Sequence, residues 1–358
     1  MAKIDIPVIK AEKLEEKPKP GDQLGFGRIF TDYMFVADYS SDQGWSNERI
    51  QPYGPIELYP STMVFHYSQT IFEGLKAYRA IDGSINLFRP KLNIERLNRS
   101  AERLAIPPVD VERTLATIKQ LVKLEEGWIP TKEGESLYIR PFIFATEKGL
   151  GVRPSATYSF YVILSPSGAY YPKGLAPVDI YIEDEYVRAV RGGMGFAKTG
   201  GNYAASIKAQ QIAKTKGYDQ VLWLDGVERR YIEEVGSMNV FFVVDGELIT
   251  PELDGAILSG VTRRSVIELA KHDNIPIKER KIDVNWLFDK AKKGELDEAF
   301  GSGTAAVISP IGKLALGDEA ITINNGRVGT LSQHFFDELL GIQYGRIKDD
   351  LGWIEKVE

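Results

Sequence analysis

The 358-residue chain contains no cysteine. That excludes disulfides, thiolate zinc sites, iron–sulfur clusters and a cysteine nucleophile together. Histidine is almost as scarce. His66, His272 and His334 are scattered, which argues against a His-rich metal centre and a His-based triad, so no metal is expected. Long apolar runs are missing as well. Val240-Phe241-Phe242-Val243-Val244, a representative run, is far short of the ~20 residues that span a bilayer. The first 22 residues are rich in Lys and Glu and hold no apolar signal core, so a cytoplasmic location without membrane attachment is expected. There is no surplus of positive charge: 44 Lys and Arg face 50 Asp and Glu, for a net −6, which makes nucleic acid a poor partner. Neither a GxxxxGK[ST] phosphate loop nor an HExxH zinc motif occurs.

With 43% hydrophobic and 26% charged residues, the chain has the means to build a core, and its length suits two domains. A seam rich in proline and glycine runs from Ser165 to Pro177. It predicts a first domain over residues 1–165, a linker over 166–178 and a second domain over 179–358. Linkers of this kind often border active sites, which singles out Tyr170 and Tyr171. Strands are expected at 137–145, 159–164, 220–224 and 238–244, with a hairpin turn at Asp245-Gly246. Helices are expected at 92–105, 203–214 and 265–271. On the first, Ile94, Leu97, Ala101 and Leu104 share an apolar face, while Arg96, Arg99 and Arg103 share another that reads as solvated. The mixture is α+β, without regular βαβ alternation.

Four segments carry candidate chemistry. In the stretch from Gly192 to Tyr203, five glycines surround Lys198, flanked by Ala197 and Thr199. Small neighbours let a bulky group approach the amine, and a lysine in a confined site can act as a nucleophile. A flexible surface loop is the plain alternative, weakened by the strong helix that begins at once with Asn202 and Tyr203. Glu233 and Glu234 precede Gly236 and an apolar strand. In extended chain they face opposite sides, so one can face a pocket; a solvated pair is the alternative. The segment Leu258–Arg264 leads into a helix, leaving N–H groups at Val261 and Thr262 suited to phosphate, or a plain helix cap. Gly301-Ser302-Gly303-Thr304-Ala305-Ala306 looks like a dinucleotide turn, but Pro310 and Gly312 follow too closely for a long helix. A Rossmann reading fails there, although an anion cradle remains. Together these supply a Schiff-base lysine, a carboxylate, two phosphate cradles, an arginine and a tyrosine, the parts that pyridoxal 5′-phosphate (PLP) requires.

These motifs resemble the branched-chain amino acid aminotransferases, fold-type IV PLP enzymes. The resemblance rests on seven motifs in family order over about residues 20–350. They are His66-Tyr67-Ser68 with Phe72–Ala77, Leu87–Pro90 with Asn93 and Arg96, Leu137–Pro141, Lys198–Tyr203, Glu234–Asn239, Leu258–Arg263 and Gly301–Ala305. It implies a two-domain enzyme with a smaller N-terminal α/β domain, a larger C-terminal domain with a barrel-like β core, and the cofactor between them. It also implies a homodimer acting on branched-chain amino acids, 2-oxoglutarate and glutamate.

Lys198 would be the Schiff-base lysine and proton carrier, Glu234 the partner of the pyridine nitrogen, and Tyr203 that of the ring hydroxyl. Arg96, Val261, Thr262 and Thr304 would hold the phosphate, and Ser237 and Ala305 the substrate α-carboxylate. Phe26, Tyr67, Phe72, Tyr138, Leu150, Val152 and Tyr170 would line the side-chain pocket, some of them from a partner subunit. Arg140 would pair with glutamate's distal carboxylate, unless it serves a structural salt bridge. The chain departs from the family at Ser237, where Thr is frequent. It departs from the mammalian branch at Ala306 and Ser309, which replace a Cys-x-x-Cys pair, so no thiol switch is expected. The alternatives are a D-amino acid aminotransferase or aminodeoxychorismate lyase of the same fold, or a non-catalytic phosphometabolite-binding protein that has no need of Lys198.

Overall fold

The computed structural model describes residues 5–170 and 174–358, so Tyr171 lies outside the described residues. The chain divides into two compact units. One holds residues 1–170, 197–200 and 341–358, the other residues 171–196 and 201–340.

In the first unit the elements run Tyr33–Ser40 (β1), Gly44–Pro52 (β2), Met63–Tyr67 (α1), Thr70–Phe72 (β3), Leu75–Arg79 (β4) and Ile85–Phe88 (β5). Pro90–Arg103 (α2), Val111–Leu124 (α3), Ser136–Ala145 (β6) and Thr157–Ser167 (β7) follow. The sheet is antiparallel, in the order β5-β4-β6-β7-β1-β2, with β3 also on β6. Pro141 sits inside a central strand, where a missing N–H normally breaks the ladder. It is tolerated because β6 changes partner there, from β4 at residues 137–139 to β3 at residues 142–144. The changeover leaves Glu73 and Gly74 between two strands, with the Glu73 N–H donating to the Pro141 carbonyl at 2.8 Å. The apolar face of α2 buries Ile94, Leu97 and Ala101 against Leu115, Ile118 and Leu121 of α3, in one core with the sheet.

The second unit contains Val178–Glu183 (β8), Gly200–Thr215 (α4), Gln220–Leu224 (β9), Ile232–Val235 (β10), Met238–Val244 (β11), Glu247–Thr250 (β12) and Val261–His272 (α5). Ile277–Glu279 (β13), Val284–Lys292 (α6), Leu296–Gly303 (β14), Val307–Leu316 (β15), Glu319–Thr322 (β16) and Thr330–Gln343 (α7) complete it, except that Gly200 of α4 and residues 341–343 of α7 belong to the first unit. Six strands close into a barrel, because β10-β9-β8-β15-β14-β11 returns to β10 through the β10–β11 hairpin. Ile182, Leu222, Leu224, Val240 and Phe242 belong to one buried core. Alternate residues of the same strands, Tyr181, Val221 and Trp223, pack instead with Ala209 and Ala213 of α4. The period-2 alternation of the strands therefore feeds two apolar layers.

The seam differs from the sequence expectation in three places. β7 runs through Ser165 and Pro166 to Ser167, and Pro166 is tolerated because β1 stops pairing with β7 at Val162. Residues 197–200 and 341–358, expected in the second domain, belong to the first unit, which is thereby no smaller than the second. The last strand, Ile354–Val357 (β17), explains the return of the C-terminus, since it pairs with β5 along Phe88 to Ile85.

Candidate active site

Lys198 is held on the first unit by its backbone. Its N–H donates to Ser100 Oγ at 2.8 Å, and its carbonyl accepts from the Phe72 N–H at 3.0 Å. Thr199, fully buried, bridges to Ile71 and donates its hydroxyl to the Thr70 carbonyl at 2.7 Å. The glycine-rich segment therefore reaches the sheet as a short extended piece, and Lys198 Nζ stands 4.9 Å from the Phe72 ring centre. Beside it lies a buried charge pair. Arg96 donates from Nε to Glu73 Oε1 at 2.8 Å and from Nη2 to Oε2 at 2.9 Å, and Asn93 adds a third bond to Oε2 at 3.0 Å. Burial alone would raise the Glu73 carboxyl. Arg96, with Lys198 and Asn93, outweighs it and holds the carboxyl below the usual carboxylate range. Arg96 is thus no solvated residue of α2: it is 4% exposed because Glu73 awaits it across the core.

The same unit groups the expected pocket residues. Arg140 lies over the Phe72 ring at 4.8 Å and the Tyr138 ring at 5.3 Å, and donates to the Tyr138 hydroxyl at 3.2 Å. Its Nε is buried without a hydrogen-bond partner, and no carboxylate among the described residues forms an ion pair with it. Phe26 meets Tyr138 edge-on at 4.9 Å. A Cβ on Gly74 would fall 1.9 Å from the Tyr138 hydroxyl, so only glycine lets that ring lie there. Tyr67 donates its hydroxyl to the Leu150 carbonyl. Leu150 itself is 69% exposed and Val152 84% exposed, while Tyr170 is about half-exposed at the end of the described first segment. The structure therefore gathers Phe26, Phe72, Tyr138, Arg140 and Lys198, and leaves Leu150 and Val152 facing solvent.

The second unit carries the other half of the expected set. Glu233 and Glu234 are both buried, so the pair is not solvated. Glu234 Oε2 forms an ion pair with Arg188 Nε at 3.3 Å, and its Oε1 accepts from the Leu258 N–H at 2.7 Å. Arg188 in turn donates to the Ala256 carbonyl. Tyr203 is half-buried on the first turn of α4, beside Asn202, which ties that turn back to the Met194 carbonyl at 2.8 Å. α5 begins at Gly260, which offers no side-chain cap to Val261 and Thr262, and a Cβ on Gly260 would fall 2.1 Å from Asn239 Oδ1. Ser237 is exposed in the β10–β11 turn. Thr304 and Ala305 lie in the turn between β14 and β15, and no helix follows them. Within the second unit, an uncapped helix start enforced by a close contact and an anchored carboxylate fit the donor chemistry of a phosphorylated pyridine; within the first, the tethered lysine suits an aldehyde.

Two charged residues escaped the sequence reading. Glu73 was visible only as part of a motif, because its partner Arg96 is 23 positions away on another element. Arg188 sits in an ordinary-looking Val187-Arg188-Ala189 stretch, and no local spacing separates it from the other 43 cations.

The family model described as amino-transferase class IV matches residues 70–314. Branched-chain-amino-acid aminotransferase 2 of Bacillus subtilis (strain 168) is 56% identical over 96% of this chain and 94% of its own length. A probable branched-chain-amino-acid aminotransferase of Staphylococcus aureus (strain N315) is 56% identical over 97% of both chains. Among solved structures, a T.th. branched-chain amino acid aminotransferase with pyridoxamine 5′-phosphate superposes with a TM-score of 0.76. It shares 27% identity over 92% of this chain and 100% of its own. The motif order, the barrel and these full-length likenesses agree, and the chain belongs to the class IV aminotransferases, in the branched-chain amino acid group.

Proposed function

We propose that this chain binds PLP and exchanges amino groups reversibly between L-leucine, L-isoleucine or L-valine and 2-oxoglutarate, giving branched 2-oxo acids and L-glutamate. The bound cofactor supplies an electron sink for the charge left when the substrate Cα gives up its proton. Lys198 would hold that cofactor through Nζ, and its amine would carry the proton that the substrate Cα gives up. Glu234, fixed by Arg188 and the Leu258 N–H, would hold the ring nitrogen, and Tyr203 the ring hydroxyl. The N–H groups of Val261 and Thr262, with Arg96 and Thr304, hold the phosphate. Ser237 and the Ala305 N–H take the α-carboxylate. Phe26, Tyr67, Phe72, Tyr138 and Tyr170 line the side-chain pocket. Arg140, buried at Nε yet without a carboxylate partner, serves the distal carboxylate of glutamate.

A homodimer in the cytosol is part of the proposal. The exposed Leu150 and Val152 are the lining residues to be offered to a second copy. No helix among the described residues is long and apolar enough to cross a membrane.

The observation that carries the reading is the backbone clamp on Lys198, which holds an amine over an aromatic ring in a glycine-rich segment. Borohydride reduction of the PLP-loaded protein followed by peptide mapping tests it. The label is expected on Lys198 alone, and Lys198→Ala should abolish turnover of L-leucine. A label on another lysine would reject the assignment. Turnover of D-alanine in place of L-leucine would move the chain to another branch of the fold.

A further inference from the structure

Glu233 follows the opposite face of β10 from Glu234. It is 4% exposed, and its Oε2 is buried without a hydrogen-bond partner among the described residues. Native proteins rarely leave a buried carboxyl oxygen unmatched. The Glu233 residue also lines a cavity of about 470 Å³ within the second unit, a volume suited to a small organic molecule. Asp225, Glu228, Glu252 and Asp254 share the wall, against only two cations, Arg191 and Lys281. Asp225 is committed: its two oxygens accept four backbone N–H groups of residues 227–231. Asp254 Oδ1 accepts from the Ala256 N–H, and the Lys281 ammonium lies 4.9 Å from the Tyr231 ring centre. Glu233 therefore brings a buried carboxyl to a wall richer in acidic than in basic residues, with Leu253 and Ile257 as apolar lining.

We propose that this cavity binds a small organic cation with N–H donors on an alkyl stem, an alkylammonium or alkylguanidinium, its head on Glu233 and its stem along Leu253 and Ile257. Burial, more than any other influence, pushes the Glu233 carboxyl up to about 8. Arg188 opposes the rise, while Asp254, Glu234 and Asp225 add to it. The carboxyl is thus protonated near pH 7. An arriving cation takes the place of its proton, which passes to the buffer, and an ion pair forms. The new charge on Glu233 then faces the same Arg188 that holds Glu234, which couples the cavity to the carboxylate of the proposed reaction.

The probe is N-butylguanidinium, which forms no Schiff base with an aldehyde, titrated calorimetrically into the full chain at pH 7. Two buffers of different ionisation enthalpy are used. Saturable one-to-one binding is expected, with a heat that differs between the buffers because protons are released. Glu233→Gln should weaken it about tenfold or more, as loss of a charged hydrogen bond does. Glu252→Gln, which removes one wall charge, should weaken it less. Tetramethylammonium, equal in charge but without N–H groups, should bind more weakly than butylguanidinium. No saturation by about 10 mM would overturn the proposal, as would equal affinity for both cations. An unchanged isotherm in Glu233→Gln would do the same. If Glu233→Gln does not fold, the wild-type heats decide: values independent of buffer reject the site. Binding should persist in Lys198→Ala, so failure of the PLP reading and failure of this site appear separately.

Discussion

Glu73 and Arg96 form a pair that neither partner can leave cheaply. Their side chains are 1% and 5% exposed, and two parallel N–H···O contacts hold them. Removing one member strands the other charge in the core, at a cost of about 3–5 kcal/mol. Glu73→Ala should therefore lower the urea midpoint markedly in the cofactor-free protein, before any catalytic effect is considered. A midpoint within error of the parent would show that Arg96 finds water or another partner. Arg140 presents the contrasting case, a guanidinium on two aromatic rings with no carboxylate among the described residues paired to it. Arg140→Met keeps the packing and removes the charge. It should raise KM for 2-oxoglutarate far more than for leucine, with a tens- to hundreds-fold loss of catalytic efficiency on the order of 1.4 kcal/mol per factor of ten. The leucine half-reaction should change little. Equal losses for both substrates would move Arg140 to the α-carboxylate they share.

The start of α5 shows how an element sets a site. Gly260 has an ordinary extended conformation, so its requirement is steric: Asn239 Oδ1 occupies the space of a Cβ. Asn239 in turn donates to the Leu258 carbonyl at 2.9 Å, and the Leu258 N–H binds Glu234. Gly260→Ala should displace Asn239 and tilt the first turn of α5, weakening PLP affinity at least about tenfold while circular dichroism stays unchanged. Unaltered affinity would place the phosphate elsewhere. Elements of this kind were legible in the sequence where the signal is local. β9 spans the expected 220–224, β11 runs 238–244, and Asp245 and Gly246 both take positive φ in the expected hairpin turn. The barrel-like core came from the family resemblance and not from local pattern, because β8 pairs with β9 and β15 in parallel across long stretches of chain. The same reason hid Glu73 and Arg188. A charge pair formed between distant elements leaves no period or spacing behind, whereas the Lys198 segment announced itself by its glycines.

At the scale of the whole molecule, three buried groups contribute to how stability depends on pH between about 5 and 10. Burial, with help from Asp32, pushes Glu125 up to about 7, and burial pushes Glu233 up to about 8. Burial also brings Lys76 down to about 8. Between the usual 4.5 and these raised values, the folded chain keeps protons on Glu125 and Glu233 that the unfolded chain has lost. Their contribution is therefore fully present below about 4.5 and is lost as pH rises through 7 and 8. Lys76 acts at higher pH. Between 8 and 10.5 the unfolded chain binds the proton that the folded chain has released, so stability recovers over that range. Each group changes stability by at most about 1.4 kcal/mol per pH unit while it titrates. Thermal midpoints of the cofactor-free protein should fall from pH 5 to pH 8 and level or rise towards pH 10. The Glu125→Gln, Glu233→Gln double variant should flatten the fall, because an amide keeps an acceptor for the Tyr33 N–H without titrating. A midpoint that rises between pH 5 and 8 would contradict the assignment, as would an equally steep fall in the double variant.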